Sequence, residues 1–209
     1  MKILVAVMSC HQNWAMWDNI KKKLRDDFII FSYSPKKENW YDETEKILYL
    51  NCRDTYDCLP EKVICMIDQV LQNPLFDKYT HILKIDDHEA NNLTTEKIEN
   101  LHKYHQLNMY DYVGQNLLPG PGKTANIYHF GKVHKESRWY NLPYSGKYIP
   151  WLNGGRTYIL SKKAMKCINK EYNSKDVDLL YNNEIYEDLM ISKILHKHNI
   201  FPHELNYNI

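Results

Sequence analysis

The chain has 209 residues, which suits a single domain, and 44% of them are hydrophobic, enough for a sizeable core and too many for a disordered chain. Its 27 lysines and arginines nearly balance 26 aspartates and glutamates, so it lacks the basic excess of a duplex-binding protein, and nucleic acid is not an expected partner. No segment approaches the ~20 consecutive apolar residues of a membrane-spanning helix, and the five cysteines lack CxxC spacing, which favours free thiols in a reducing, cytoplasmic setting.

Residues 2–9 form an apolar run that reads as a buried first strand. Its apolar stretch is too short for a convincing signal peptide. Residues 14–25 carry Trp14, Trp17, Ile20 and Leu24 at helical spacing. Phe28–Tyr33 and Ile47–Leu50 read as strands, separated by a charged loop around Pro35–Glu43. Leu59–Leu71 reads as a helix with Pro60 in its first turn, where a missing N–H costs nothing. His81–Ile85 is the next strand, followed by a helix over 96–107 capped at Thr94 or Thr95, and by a strand over Tyr110–Gly114. Residues 115–150 show little periodicity and suit a loop or hairpin over a site. Thr157–Leu160 reads as a strand, with helices following over 162–170 and about 185–198. The alternation predicts an α/β domain with a mostly parallel central sheet flanked by helices, with ligands beyond the carboxyl ends of its strands.

One such end carries Asp86, Asp87 and His88 directly after the apolar strand. Strand alternation would turn Asp86 and His88 to one face and Asp87 to the other. A carboxylate and an imidazole side by side can hold manganese or magnesium and leave positions for diphosphate oxygens. Spare histidines lie near the carboxyl terminus, at His196, His198 and His203. Glu187 and Asp188 open that helix, where its dipole favours their ionised form and burial opposes it. Both approach its apolar side, and either carboxylate can serve as a general base. The sequence is rich in aromatic residues, with 17 tyrosines and 5 tryptophans, side chains that often line sugar sites.

Four segments carry a resemblance. Arg53-Asp54-Thr55-Tyr56-Asp57-Cys58-Leu59-Pro60-Glu61-Lys62, Leu83-Lys84-Ile85-Asp86-Asp87-His88, Gly155-Arg156-Thr157-Tyr158-Ile159-Leu160-Ser161 and Tyr186-Glu187-Asp188-Leu189 occur in that order. Together they resemble the motifs of β-1,3-galactosyltransferase and Fringe-type glycosyltransferases across roughly residues 50–202. His88 replaces the family's last metal-motif acid, as in the Asp-x-His motif of polypeptide N-acetylgalactosaminyltransferases, and Thr157 stands where the family has a second glycine. The resemblance implies a GT-A fold, with a donor half over about 1–114 and an acceptor and catalytic half over about 115–209. It implies a metal-dependent, inverting transfer from a UDP-sugar to a carbohydrate or glycan acceptor.

Carried over residue by residue, Asp188 would be the base, with Glu187 beside it. Asp86, His88 and His203 would hold Mn2+ or Mg2+, and Ser9, Cys10, Asp54, Lys62, Lys84, Asp86 and Asp87 would meet the donor. Trp151, Asn153, Gly154 and Gly155 would shape the acceptor side. A metal-dependent phosphoesterase or nucleotidyltransferase, or an inactive carbohydrate-binding domain, are the alternatives. The Gly-x-Gly-x-x-Gly of a dinucleotide fold is absent, and Gly120-Pro121-Gly122-Lys123 lacks its strand-to-helix setting.

Overall fold

The structure, a computed structural model, describes residues 1–24 and 26–205. Its first strand, β1 (Ile3–Met8), is buried along its whole length, as expected of an unbroken apolar run covered on both faces. Helix α1 (Trp14–Leu24) follows, burying Trp17, Ile20 and Leu24 and leaving Trp14 exposed; Arg25, the last residue of the expected helix, lies outside the described residues. Strands β2 (Phe28–Tyr33), β3 (Trp40–Asp42) and β4 (Ile47–Leu50) come next. Strand β3 lies inside the expected loop: Trp40 pairs with Tyr49 across an antiparallel ladder and stacks on it at 4.3 Å between ring centroids. Such a cross-strand aromatic pair stabilises a strand too short to show a sequence period.

Helix α2 (Leu59–Gln72) precedes β5 (His81–Asp86), which leads without a loop into the short helix α3 (Asp87–Ala90). Thr94 caps α4 (Thr95–Lys103), which stops earlier than expected and continues as a 3-10 turn over His105–Met109. Strands β6 (Tyr112–Gly114), β7 (Leu117–Leu118), β8 (Trp151–Leu152) and β9 (Thr157–Ser161) lead to α5 (Lys162–Glu171). Helix α6 (Val177–Asn183), absent from the sequence expectation, buries only Leu180 and so offers no apolar periodicity to read. Helix α7 (Glu187–Lys197) and strand β10 (His203–Glu204) end the described chain.

Eight strands form one sheet in the order β10-β6-β9-β5-β1-β2-β4-β3, and β7 pairs with β8 in a separate ribbon. The four consecutive strands β5-β1-β2-β4 are parallel, whereas β9 runs antiparallel between β5 and β6. One face of the sheet packs against α2, α5 and α7, through residues such as Val63, Ile67, Met165 and Ile191. The other packs against α1 and α4 through Trp17, Ile20, Ile98 and Leu101. The result is an α/β fold of three layers. The sheet takes strands from both the amino-terminal and the carboxyl-terminal half of the chain.

The chain leaves β1 toward β2 on one side, and later returns to place β5 on the other. A crevice therefore opens beyond the carboxyl ends of β1 and β5, the usual ligand position in such sheets. Gly114, at the end of β6, directs the irregular segment 115–150 over this crevice. A Cβ at Gly114 would meet the Thr157 carbonyl oxygen at 2.6 Å, so the strand crossing requires glycine. Among the described residues no helix is long and apolar enough to cross a membrane. The five cysteines are free, and burial pushes the Cys52 and Cys58 thiols up to about 12, which keeps them protonated and unreactive.

Candidate active site

The crevice contains a cavity of about 390 Å3 bounded by Lys84 and Asp86 of β5, the Asn153–Gly155 turn, and Glu187 and Asp188 of α7. Lys84 lies at its base. Strand alternation turns it to the α2/α5/α7 face, where it is fully buried. Its Nζ donates to Asp86 Oδ1 (2.7 Å) and to the Gly154 carbonyl (2.9 Å), and lies 3.7 Å from Glu187 Oε1. Burial opposes its charge, but the Asp86 and Glu187 carboxylates outweigh that and hold its ammonium above its usual value.

Glu187 is buried, and the Tyr158 hydroxyl donates to its Oε1. Burial raises its carboxyl to about 7, against the opposing pull of Lys84 and with Asp188 adding to the rise. Asp188 is half-buried; its Oδ2 accepts from the Gly154 N–H (3.0 Å) and its Oδ1 from the Leu189 N–H (2.8 Å). Burial raises its carboxyl as well, and the two backbone N–H groups moderate the effect. A carboxylate oriented at a helix start by backbone donors, with lone pairs still facing a cavity, can accept a proton from a bound hydroxyl. Gly154 makes this geometry possible: a Cβ there would lie 2.5 Å from Glu187 Oε2 and 3.0 Å from Asp188 Cβ.

The opposite wall comes from segment 115–150. Val133, Trp139, Tyr144, Trp151, Ile185 and Leu189 form a third apolar cluster that fixes this largely irregular chain. Buried His129 fastens it further, bonded through Nδ1 to the Tyr186 hydroxyl (2.8 Å) and through Nε2 to the Leu142 carbonyl (3.0 Å). Trp151 lines the cavity with its ring 5.7 Å from that of Tyr148, and Tyr56, Tyr128 and Tyr186 complete an aromatic wall.

Of the expected acceptor residues, Trp151, Asn153, Gly154 and Gly155 all reach the cavity, as do Glu187 and Asp188, and on the donor side Lys84 and Asp86. Ser9, Cys10, Asp54 and Lys62 gather at the end of β1 just outside it, where only Met8 of that strand lines the wall. Lys62, buried, donates to Asp54 Oδ1 (2.5 Å) and to the Ser9 carbonyl (2.9 Å), and Asp54 Oδ2 accepts from the His11 N–H (2.7 Å). These bonds tie the loop after β1 to the start of α2. Asp87 is buried away from the cavity and accepts from Ser9 Oγ (2.7 Å) and Asn13 Nδ2 (2.8 Å).

The expected chelate of Asp86, His88 and His203 does not assemble. Strand alternation stops at Asp86, because α3 begins at Asp87 and rotates His88 off the strand. The His88 side chain is 69% exposed and its Nδ1 lies 3.2 Å from Asp87 Oδ1. The His203 ring packs tilted against that of Tyr110, 4.3 Å between centroids, on an edge strand separated from β5 by β6 and β9, which puts it about 14 Å away across the sheet. Its register partner Val113 also faces the α1/α4 core, opposite Asp86. His196 packs on Phe201, and His198 lies 3.4 Å from Glu171, both at the far end of α7. Among the described residues no three histidine, cysteine or acidic side chains converge as a metal site, and the position beside Asp86 is filled by the Lys84 ammonium. The residues present therefore do not fit the expected ion.

Sequence reasoning gave no role to Tyr158, Tyr56 or Lys132. The two tyrosines lie inside motif segments, where only their neighbours were read as chemical. Lys132 lies in a stretch with no periodic signal. The chain matches no protein-family model and no curated protein. Among solved structures it is similar to a cytidylyltransferase from Leptospira borgpetersenii serovar Hardjo-bovis (strain JB197), at 8% identity and a TM-score of 0.46, over 99% of this chain and 77% of that one. A likeness that distant carries no argument about activity.

Proposed function

We propose that the chain is a glycosyltransferase of GT-A type that moves a sugar from a UDP-sugar to a carbohydrate hydroxyl. The observation that carries this reading is the convergence in one cavity of Lys84 and Asp86 from the donor half with Trp151, Gly154, Glu187 and Asp188 from the acceptor half. In this reading the nucleoside rests toward Met8 and Leu59, with Asp54 and Lys62 bracing that edge. The diphosphate lies toward Lys84, and the acceptor ring stacks against Trp151. Asp188 takes the proton of the acceptor hydroxyl as its oxygen attacks the anomeric carbon. The bond from that carbon to the diphosphate breaks, and its electron pair leaves with the UDP. A single displacement of this kind inverts the anomeric centre. Glu187, held by Tyr158 and near Lys84, positions the lysine rather than receiving the proton.

A divalent ion would act here as a Lewis acid on the diphosphate. No step above depends on one, because the ligands expected for it do not come together. Incubation with a panel of UDP-sugars and oligosaccharide acceptors, read as free UDP, tests the proposal. Acceptor-dependent UDP release with at least one donor is expected. Release of a nucleoside monophosphate with sugar phosphate instead would favour phosphoester hydrolysis, sugar phosphate without free nucleotide would favour nucleotidyl transfer, and sugar binding with no release would favour a carbohydrate-binding domain.

A further inference from the structure

We propose that Lys132 is the exposed half of an anion subsite in this cavity, and that it neutralises the leaving diphosphate together with Lys84. The inference rests on the nucleotide-sugar reading and deepens it. Three carboxylates, Asp86, Glu187 and Asp188, line the cavity, and a diphosphate entering it needs cations to offset them. Lys84 is one, but its ammonium is already committed to Asp86 and the Gly154 carbonyl, and it is fixed by burial. Lys132 is the other lysine lining the cavity.

Lys132 is exposed at the mouth, and its Nζ lies 3.2 Å from the ring centroid of Tyr128 and 5.2 Å from that of Tyr56. Among the described residues no carboxylate pairs with it, although three share its cavity. Aromatic faces hold an ammonium in place by modest attraction and leave its N–H donors free for an incoming anion. The same segment brings Gly120, Gly122 and Thr124 to the cavity, and a Cβ at either glycine would meet nothing within 4 Å. The backbone at both glycines is therefore open to phosphate oxygens entering the cavity. As the bond from the anomeric carbon to the diphosphate breaks, its electron pair passes to the diphosphate oxygen. The growing negative charge there is met by the two ammonium groups.

The test is calorimetric titration of the full chain with inorganic pyrophosphate and, separately, with UDP, both in EDTA. Wild type, Lys132→Ala and Lys132→Arg are compared. Both ligands are expected to bind the wild type, Lys132→Ala to weaken each by about tenfold, and Lys132→Arg to restore most of the affinity. Uridine, which carries no phosphate, should bind all three alike. Equal pyrophosphate affinity in wild type and Lys132→Ala, or no pyrophosphate binding until manganese replaces EDTA, would overturn the proposal. Lys132-dependent pyrophosphate binding with no added affinity for UDP would uphold the anion subsite and remove the nucleotide-sugar reading.

Discussion

Glu187 and Asp188 are adjacent in sequence and occupy different environments. Asp188 is held by two backbone N–H groups at the helix start, whereas Glu187 is buried between a tyrosine hydroxyl and a lysine. Because burial lifts Glu187 from its ordinary 4.5 to about 7, the folded protein binds its proton more tightly than the unfolded chain. Its contribution to stability is therefore fully present below about 4.5 and is lost as pH rises through about 7. Glu187→Gln removes that titration. Urea denaturation between about pH 5 and about pH 8 should show the variant gaining on the wild type as pH rises. A stability difference that stays constant across this range would contradict the burial of an ionisable Glu187. The sequence identified both acids and their helix-start position. It could not order their proton affinities, because these depend on Tyr158 and Lys84 arriving from strands distant in the chain.

At the scale of elements, the Asn153–Gly155 turn couples β8, β9 and the start of α7. Gly154→Ala would push a methyl group toward Glu187 Oε2 and Asp188 Cβ, and the dyad must shift to admit it. The expected cost in stability is modest, about 1–3 kcal/mol, the usual range for overpacking. The expected loss of turnover is larger, on the order of a hundredfold, because misplacing a catalytic group by about an ångström is enough. Comparing denaturant midpoints with initial rates separates the two effects, and unchanged turnover would dissociate the turn from the chemistry. Periodicity made the long elements legible: β1, β2, α2, β5 and α7 appear close to where their apolar spacing puts them. It failed at the end of β5, where extending strand alternation past Asp86 turned His88 toward the site. The helix starting at Asp87 reverses that inference. Strand β3 and helix α6 escaped because one stacked aromatic pair and one buried leucine are too little pattern to read.

Across the whole molecule, parallel strands on either side of β1 generate the crevice, and the carboxyl-terminal half closes it with an aromatic wall. The α/β class and the mostly parallel sheet followed from the alternation of elements. The antiparallel insertion of β9 did not, because strand order is set by packing that no local pattern records. The same limit applied to the metal ligands, since Asp86, His88 and His203 share chemistry in the sequence but not a face of the sheet. We propose above all that this cavity transfers a sugar with Asp188 as base. The most direct test is acceptor-dependent UDP release by wild type and Asp188→Asn, with UDP affinity measured alongside. Turnover by Asp188→Asn is expected to fall about a hundredfold or more, the usual contribution of general base catalysis, with UDP binding retained. Undiminished release by Asp188→Asn would contradict this assignment.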